Sequence, residues 1–483
     1  MDYSAIYPEL ILALFAIAIP AIGMVVKNSK YLAAISLTGI GLSMLAVFLF
    51  FYNGTGPIEF DTGLLVLDNF SALFMMIFLC VAFVVVLASG KFIENEKHVP
   101  EYYCLVLLAT VGMLLVASAQ DLFVLYLGIE ITSMSSYALV AFRKKDLRGS
   151  EAATKYFIFG GFSSAFTLFG ISLIYGLTGV TSFTEVGAAV AGLTDMKEML
   201  WVALVMVIVG FGFKVAMVPF HSWAPDVYDG APTTITAMLA AGSKKMGLVA
   251  MFKFFLIALL AIKADWEIVV AVLAILTMTV GNLAALNQTS IKRMLAYSSI
   301  AQAGYILIAI AVGTEFALTG GIFHIMTHAF MKGGAFIIVA TLATVAIGDR
   351  IVEYKGLAKR SAILAFAMTI MLFSLAGIPP LAGFDSKVVL FSSAIYGATD
   401  GSEWMIWLAI AGIINSAISL YYYARVVKYM YVDELEEGEK SEKLKLPTSM
   451  LAAIIICVVA VIGIGVWPEP FIEFCKDAAA AFF

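Results

Sequence analysis

The sequence predicts an all-α polytopic membrane protein, and three observations carry that prediction. Of its 483 residues, 62% are hydrophobic and 13% are charged, whereas soluble proteins carry about 25% charged residues. The mean hydropathy is +1.00. Apolar runs long enough to cross a bilayer of about 30 Å recur along the chain, without the polar/apolar alternation of barrel strands. This composition excludes a disordered chain, a nucleic-acid binder and a secreted disulfide scaffold.

We predict about fourteen transmembrane helices, each bounded by charged residues or by Gly, Pro or Asn. The first apolar run lacks the basic leader of a signal peptide, so we expect it to remain as a helix. Numbered 1 to 14 in chain order, the predicted helices span 5–26, 31–52, 68–90, 101–118, 121–142, 154–177, 199–220, 232–262, 266–286, 297–313, 318–347, 362–397, 404–429 and 449–467.

The distribution of Lys and Arg predicts the orientation of these helices. Assigned to alternating loops, 19 basic residues fall on one side and 3 on the other. Because cytoplasmic loops are enriched in Lys and Arg, the first side is predicted to be cytoplasmic, with both termini outside. The mixed-charge stretch Val432 to Lys445 is predicted to be a solvated cytoplasmic loop. Seven basic residues remain inside the helices, namely Lys214, Lys244, Lys245, Lys253, Lys332, Lys387 and Arg425.

The cysteines predict no cofactor and no metal on this chain. None of the four has a spacing that suits an iron–sulfur cluster, zinc or a disulfide framework. They are Cys80, Cys104, Cys457 and Cys475. No loop is long enough for a soluble catalytic domain, so flavin, nicotinamide or iron–sulfur chemistry is expected on another chain.

Two helices are predicted to be discontinuous. Prolines interrupt predicted helix 7 at Pro219 and predicted helix 12 at Pro379 and Pro380, because proline removes a helical hydrogen bond and clashes with the preceding turn. Interruptions at matching places in two halves are typical of ion paths in transporters. The alternative is that the prolines only kink two helices.

The spacing of the prolines predicts an internal repeat. Pro219 and Pro379 lie 160 residues apart, close to the separation of predicted helices 4 and 9. A five-helix unit repeated in tandem must be inverted, because five is odd. Within a single membrane domain, 1–483, we predict helices 1–3 in 1–98, a first inverted repeat of helices 4–8 in 99–263, a second of helices 9–13 in 264–431, and the cytoplasmic loop with helix 14 in 432–483.

The ionisable residues inside the helices are functional hypotheses, because each costs about 2.5–3.5 kcal/mol at the bilayer centre. Glu130 in predicted helix 5 and Lys214 in predicted helix 7 are predicted to be a pair that switches protonation, or else a static ion pair. Lys244 and Lys245 point about 100° apart on their helix, so they do not face one path equally. Lys253 is either functional or extends outward to water.

Predicted helix 11 carries His324, His328 and Lys332 on one face at i, i+4 spacing. They suit a proton relay, because imidazole titrates near pH 6.5, although either histidine could be structural. A metal site is disfavoured, since no third ligand follows and lysine repels a cation.

Ionisable residues also flank the two interruptions. His221, with Asp226 and Asp229, is predicted to form a proton entrance after the first break. Lys387 lies beyond the second break and is either an exit-side group or a lysine that extends outward to water. Arg425 is interpreted as a positive-inside anchor.

The sequence motifs resemble those of a known family. The run Lys214 to Pro232, K-V-A-M-V-P-F-H-S-W-A-P-D-V-Y-D-G-A-P, followed by Thr233, resembles the signature of the antiporter-like subunits of respiratory complex I. Its D-V-Y-x-G-A-P-T form resembles the N-type subunit, as does the early chain end after predicted helix 14, which differs from the L type. The motif G-I-P-P-L-A-G-F-x-x-K, which ends at Lys387, extends the resemblance to nearly the whole chain.

The resemblance implies a proton-translocating, non-redox subunit of an NADH:quinone or F(420)H(2) dehydrogenase, with NADH, F(420)H(2) or ferredoxin as donor and a quinone or phenazine as acceptor. It implies Glu130 and Lys214 as the coupled pair, Lys244 or Lys245 as the central relay, and Lys332 and Lys387 on the exit side. The N-type pattern selects Lys244, whereas the M-type K-M-G pattern selects Lys245.

The same resemblance implies a multi-pass protein of the cell inner or cytoplasmic membrane. Its expected partners are membrane lipid, M-type and K-type membrane-arm chains and, indirectly, a hydrophilic redox arm that carries FMN or FAD and iron–sulfur clusters. Nucleic acid is not expected. The alternatives are a subunit of a multisubunit Na⁺/H⁺ antiporter or of a membrane-bound hydrogenase.

Overall fold

The computed structural model describes residues 3–26, 28–54, 56–60, 63–193, 196–399, 401–433 and 443–483. These residues are nearly all helical, apart from a short antiparallel hairpin of β1 (Ile58–Phe60) and β2 (Leu65–Leu67). The α-helices are α1 (Tyr7–Val25), α2 (Ser29–Asn53), α3 (Asn69–Phe92), α4 (Val99–Ser118), α5 (Leu122–Val140), α6 (Leu147–Thr178), α7 (Phe183–Ala191), α8 (Lys197–Lys214), α9 (Trp223–Gly230), α10 (Thr233–Met238), α11 (Lys244–Lys253), α12 (Lys263–Leu286), α13 (Ile291–Val312), α14 (Glu315–Thr344), α15 (Leu357–Arg360), α16 (Ala362–Ala376), α17 (Ala382–Tyr396), α18 (Ile406–Tyr431), α19 (Thr448–Val466) and α20 (Glu469–Ala479).

The all-helical membrane fold predicted from composition is confirmed. Among the described residues, twelve helices are long and apolar enough to cross a membrane. The two other predicted helices correspond to the interrupted ones, which are α8 and the pair α16 and α17. The count of fourteen crossings and the two inverted repeats stay predictions. Part of the loop predicted at Val432 to Lys445, residues 434–442, lies outside the described residues.

Short polar side chains fix where several helices begin. Asp68 and Ser71 form a reciprocal capping box at the start of α3, and the Asp121 carboxylate accepts from the backbone N–H groups of Phe123 and Val124 at the start of α5. Thr314 caps α14 in the same way. Such caps satisfy N–H groups that have no partner within the helix, which matters most where water is scarce.

Both predicted interruptions are present. Helix α8 ends at Lys214, and the chain passes through residues 215–222 as turns before α9 begins. Helix α16 ends at Ala376, where Gly377 adopts φ +91°, a left-handed conformation that favours glycine. Helix α17 then begins at Ala382. Each break leaves backbone carbonyl groups without helical partners inside an apolar region.

Predicted helix 8 is less regular than expected. It consists of α10, a π-helical segment Leu239–Ser243, α11 and a second π-helical segment Phe254–Ala258. No proline or charged residue in the sequence predicts the first segment. π-Helical turns inside α-helices are frequent at functional sites, and both segments here adjoin buried lysines. Lys244 and Lys245 directly follow the first segment, and Lys253 directly precedes the second.

Helices α13 and α14 form the centre of the molecule and are buried along nearly their whole length. Helices α10 and α11 are buried throughout as well. In contrast, α6 and α18 expose long apolar faces, which is the pattern expected of helices that contact lipid or other membrane proteins. The central helices are those that carry most of the ionisable residues described next.

Candidate functional site: a row of buried ionisable side chains

Glu130 on α5 and Lys214 at the end of α8 form the predicted pair. The Lys214 amino nitrogen lies 3.6 Å from Glu130 Oε1, and the two side chains are 7% and 16% exposed. The pair has further partners: Ser164 Oγ donates to Glu130 Oε1 at 2.5 Å, and Lys214 Nζ donates to Ser133 Oγ at 2.8 Å. Lys214 Nζ also donates to Ser164 Oγ at 3.5 Å, so the lysine has acceptors other than Glu130 toward which its nitrogen can shift.

Lys244 and Lys245 are both buried, with exposures of 1% and 0%. Neither amino group has a hydrogen-bond partner among the described residues. The Lys244 nitrogen lies 5.6 Å from the centre of the Tyr228 ring. Helix α11 packs closely against the end of α8: a Cβ added to Gly247 would lie 3.2 Å from Lys214 Cβ. Unpartnered buried amines are costly, so they are expected to hold water or to transfer protons.

His324 on α14 has a partner on each ring nitrogen. Its Nε2 lies 2.8 Å from Gln302 Oε1, and its Nδ1 lies 2.9 Å from Ser386 Oγ. Gln302 Nε2 donates to the carbonyl of Leu375 at 3.1 Å, so its Oε1 is the atom left to face the histidine. A neutral His324 therefore donates from Nε2 and accepts from Ser386 at Nδ1.

His328 and Lys332 continue the same face of α14. Both ring nitrogens of His328 are buried without a hydrogen-bond partner among the described residues. The ionisable groups that interact with it electrostatically are Lys244, Lys245, Lys332 and His324. Lys332 donates to the Leu295 carbonyl at 3.1 Å and also to Ser298 Oγ. The predicted cluster on one helix face is therefore present, and it adjoins the lysines of α11.

Lys387 on α17 reaches back to the break in its own helix. Its Nζ donates to the carbonyls of Leu375 and Ala376 at 2.8 and 2.9 Å, and to Ser416 Oγ at 2.9 Å. The side chain is 4% exposed and lines a cavity of about 410 Å³. The alternative that Lys387 extends outward to water is therefore wrong, because its amino group caps the free carbonyls of α16.

The polar segment after the first break contains a charge network. Asp226 accepts from Lys155 at 2.8 Å and from Arg293 at 2.9 Å, while Asp229 accepts from Ser290 at 3.1 Å. Partial burial alone would raise the pKa of the Asp226 carboxyl, but the two cations outweigh it, and the net pKa lies below its usual range. His221 is half-buried, and its Nδ1 has no partner among the described residues. Asp226 is thus an ion-paired link between α6, α9 and α13.

The structure also places two further basic residues, Lys253 and Arg425. Lys253 does not extend outward to water, because it is 1% exposed and donates to the Ala119 carbonyl at 2.7 Å. Arg425 donates to the carbonyls of Leu286 and Gln288 at 2.9 and 2.7 Å, so it also closes the end of α12.

The row of ionisable side chains consists of Glu130, Lys214, Lys244, Lys245, His324, His328, Lys332 and Lys387. Several polar partners of this row were not predicted from the sequence. They are uncharged and lie on helices distant in the chain, so no local pattern indicates their role; the only available signal is a polar residue within an apolar span. They are Ser133, Ser164, Ser298, Gln302, Ser386 and Ser416. No group of three His, Cys, Asp or Glu side chains among the described residues is arranged to hold a metal ion.

Most of the chain matches a known protein family. Residues 119–419, which include every member of the row from Glu130 to Lys387, match the family described as NADH:quinone oxidoreductase/Mrp antiporter, transmembrane. The chain belongs to this NADH:quinone oxidoreductase/Mrp antiporter family. The resemblance inferred from the motifs at Lys214 and Lys387 is confirmed.

Two relatives and one solved structure are similar to the chain over most of its length. It is 48% identical over 422 residues to F(420)H(2) dehydrogenase subunit N of Methanosarcina mazei, covering 86% of this chain and 84% of the relative. It is 40% identical over 490 residues to NADH-quinone oxidoreductase subunit N of Trichlorobacter lovleyi, covering 99% and 97%. A chain of respiratory complex I from Thermus thermophilus with bound Aureothin is 30% identical, with a TM-score of 0.80 and coverage of 96% and 98%.

Proposed function

We propose that this chain is the N-type membrane subunit of a complex I-like oxidoreductase and translocates protons when electrons pass through partner subunits. The observation that carries the proposal is the row of buried ionisable side chains from Glu130 to Lys387. It extends through the centre of the bundle and meets an interrupted helix at each end. Groups of this kind inside a membrane protein are retained at a large free-energy cost, so a purely structural role accounts poorly for them.

The proposed mechanism begins at the Glu130 and Lys214 pair. A change in the charge of a neighbouring subunit alters the separation of these two groups, and Ser133 offers Lys214 an alternative acceptor. When Lys214 moves away from Glu130, its ammonium loses electrostatic stabilisation and releases a proton toward the amines of α11. His328, which interacts with those amines, passes the proton to the second half of the row.

The transported ion in this proposal is H⁺ rather than Na⁺. In transporters, carbonyls freed at the break of a discontinuous helix can coordinate Na⁺. Here the carbonyls of Leu375 and Ala376 accept hydrogen bonds from Lys387, so a cation already occupies their acceptors. A row of amines and imidazoles binds protons, its protonated members repel metal cations, and Na⁺ prefers oxygen ligands to nitrogen. The dehydrogenase relatives, at 48% and 40% identity, also favour an oxidoreductase over an Na⁺/H⁺ antiporter.

The proposal includes a location and partners. The chain would lie in the cytoplasmic membrane with both termini outside and the basic loops in the cytoplasm. M-type and K-type chains would be neighbours in the membrane arm, and FMN or FAD and iron–sulfur clusters would lie on hydrophilic partner subunits. The electron donor would be NADH, F(420)H(2) or ferredoxin. The proposed organisation is two inverted repeats, 99–263 and 264–431, flanked by 1–98 and 432–483.

Reconstituted complexes provide the test. Glu130→Gln and Lys214→Met should reduce proton translocation and coupled electron transfer together, whereas Glu151→Gln, an exposed acid on α6, should leave both unchanged. Assembly is checked by co-purification of the partner subunits. Normal proton translocation in the assembled Glu130→Gln/Lys214→Met double variant would reject the proposed function, and co-purification without any redox subunit would favour the antiporter alternative.

A further inference from the structure

Glu9 and Lys253 are buried ionisable side chains that do not belong to the row, and so is Asp121, whose carboxylate caps α5. Glu9, in the first turn of α1, is 5% exposed, and Lys253, the last residue of α11, is 1% exposed. The mechanism proposed above uses neither of them. Because an ionisable group inside a membrane protein is costly, a pair of opposite sign requires an explanation of its own.

Both side chains bind adjoining residues where α4 ends. Ser118 Oγ donates to Glu9 Oε1 at 2.9 Å, and Lys253 Nζ donates to the carbonyl of Ala119 at 2.7 Å. Glu9 Oε2 is buried with no hydrogen-bond partner among the described residues. The bond to Ala119 uses one of three N–H donors of a protonated Lys253. The unused acceptor and donors are the kind of polar groups that buried water bridges.

Lys253 lies between the central lysines of α11 and the surface of the bundle. It follows Lys245 by eight residues on α11, which corresponds to about 12 Å along the axis and about 80° around it. At its own end of the bundle it interacts electrostatically with the half-buried Asp68, which caps α3. Ionisable groups therefore continue from the central amines toward the end of the bundle where α1 begins.

We propose that Glu9, Ser118 and Lys253 form a proton outlet at this end of the first half of the molecule; the inference rests on the proposed function. Lys253 takes a proton from the central lysines and becomes an ammonium group. It then returns to the neutral amine as the proton passes, through water beside Ser118, to the Glu9 carboxylate, which becomes a neutral carboxyl. Release of that proton to the outside restores the carboxylate, so no other reactant is needed.

The test uses the assembled oxidoreductase complex in proteoliposomes. Glu9→Gln keeps the size of the side chain and an acceptor for Ser118 but cannot ionise, and Lys253→Met removes the amine. Both should lower proton translocation through this subunit while the complex remains assembled, and the route through Lys332 and Lys387 in the second half would carry what remains. The matched controls are Glu59→Gln and Lys197→Met, which alter exposed residues, and both should translocate protons as the unmodified complex does.

Lys253→Arg separates a relay from a structural cation. Arginine keeps the positive charge and can donate to Ala119, but it does not release its proton. The outlet requires that this variant also show lowered proton translocation. Normal translocation in Lys253→Arg, or in Glu9→Gln, overturns the outlet. If Lys253 variants do not assemble, Glu9→Gln alone decides.

The result is read beside Glu130→Gln. If Glu130→Gln loses translocation while Glu9→Gln retains it, only the outlet fails. If Glu130→Gln retains translocation, the proposed function itself fails.

Discussion

The amino group of Lys387 lies 2.8 Å from the carbonyl oxygen of Leu375, which belongs to the preceding half of the same interrupted helix. The lysine therefore closes the break that Gly377, Pro379 and Pro380 open. Its positive charge lies next to carbonyl groups at a helix C-terminus, where a cation is stabilised electrostatically. Loss of the proton would weaken this cap, so protonation of Lys387 is coupled to the geometry of the break.

Lys387 variants should separate the cap from proton transfer. Lys387→Met removes three hydrogen bonds and is expected to lower both thermal stability and proton translocation. Lys387→Arg keeps the charge and can still cap α16, but it cannot release a proton. We therefore expect near-normal stability with impaired translocation, measured by thermal unfolding in detergent and by proton uptake into vesicles. Translocation at the normal rate in Lys387→Arg would limit the lysine to a structural role.

Much of this arrangement was predictable from the sequence because its causes are local. A proline within a helix removes a hydrogen bond and clashes with the preceding turn. Helix α1 continues through Pro20, but the breaks after Lys214 and Ala376, where a proline and ionisable residues occur together, were predicted correctly. Charges within apolar runs identified the members of the row. In contrast, the hydrogen bonds of Lys387 to α16 depend on how the chain returns after the break, and the partners Gln302 and Ser386 of His324 come from two other helices. The π-helical segment before Lys244 depends on packing that periodicity does not report.

The two histidines of α14 should respond differently to replacement. His328 has no hydrogen-bond partner among the described residues, so His328→Leu removes a buried polar ring without leaving a partner unsatisfied. We expect thermal stability to be unchanged or raised and proton translocation to fall. His324→Leu leaves Gln302 and Ser386 without their partner and should cost about 1–3 kcal/mol. Normal translocation in His328→Leu would exclude it from the relay.

Asp226 should make the thermal stability of the protein depend on pH in the acidic range. Its pKa is lowered in the folded protein by Lys155 and Arg293, so its stabilising contribution is complete above the unfolded value of about 4 and is lost as pH falls through the lower folded pKa. Because the group is partly exposed, Asp226→Asn should cost only about 1 kcal/mol. Thermal unfolding between neutral and acidic pH would measure this. Glu151→Gln, which alters the other carboxylate bound to Lys155, is the control, and an equal loss there would contradict the assignment.

Gly247 offers a test of the contact between the two lysine-bearing segments. A Cβ at this position would lie 3.0 Å from Val215 Cγ1 and 3.2 Å from Lys214 Cβ. These distances are shorter than ordinary contacts between methyl groups, which begin at about 3.5 Å. Gly247→Ala should therefore push Lys214 and α11 apart, although alanine is intrinsically better than glycine in a helix by about 1 kcal/mol.

The expected result for Gly247→Ala is reduced proton translocation with the complex still assembled. Gly333→Ala is the matched control: it lies next to Lys332 on α14, but its added Cβ would meet Ala241 at 3.5 Å, an ordinary contact. It should gain the same helix propensity without displacing a lysine, so its translocation should be normal and its unfolding temperature unchanged or higher. Equal translocation in the two variants would show that the distance between Lys214 and the amines of α11 does not limit proton transfer, whereas a loss confined to Gly247→Ala would assign that step to this contact.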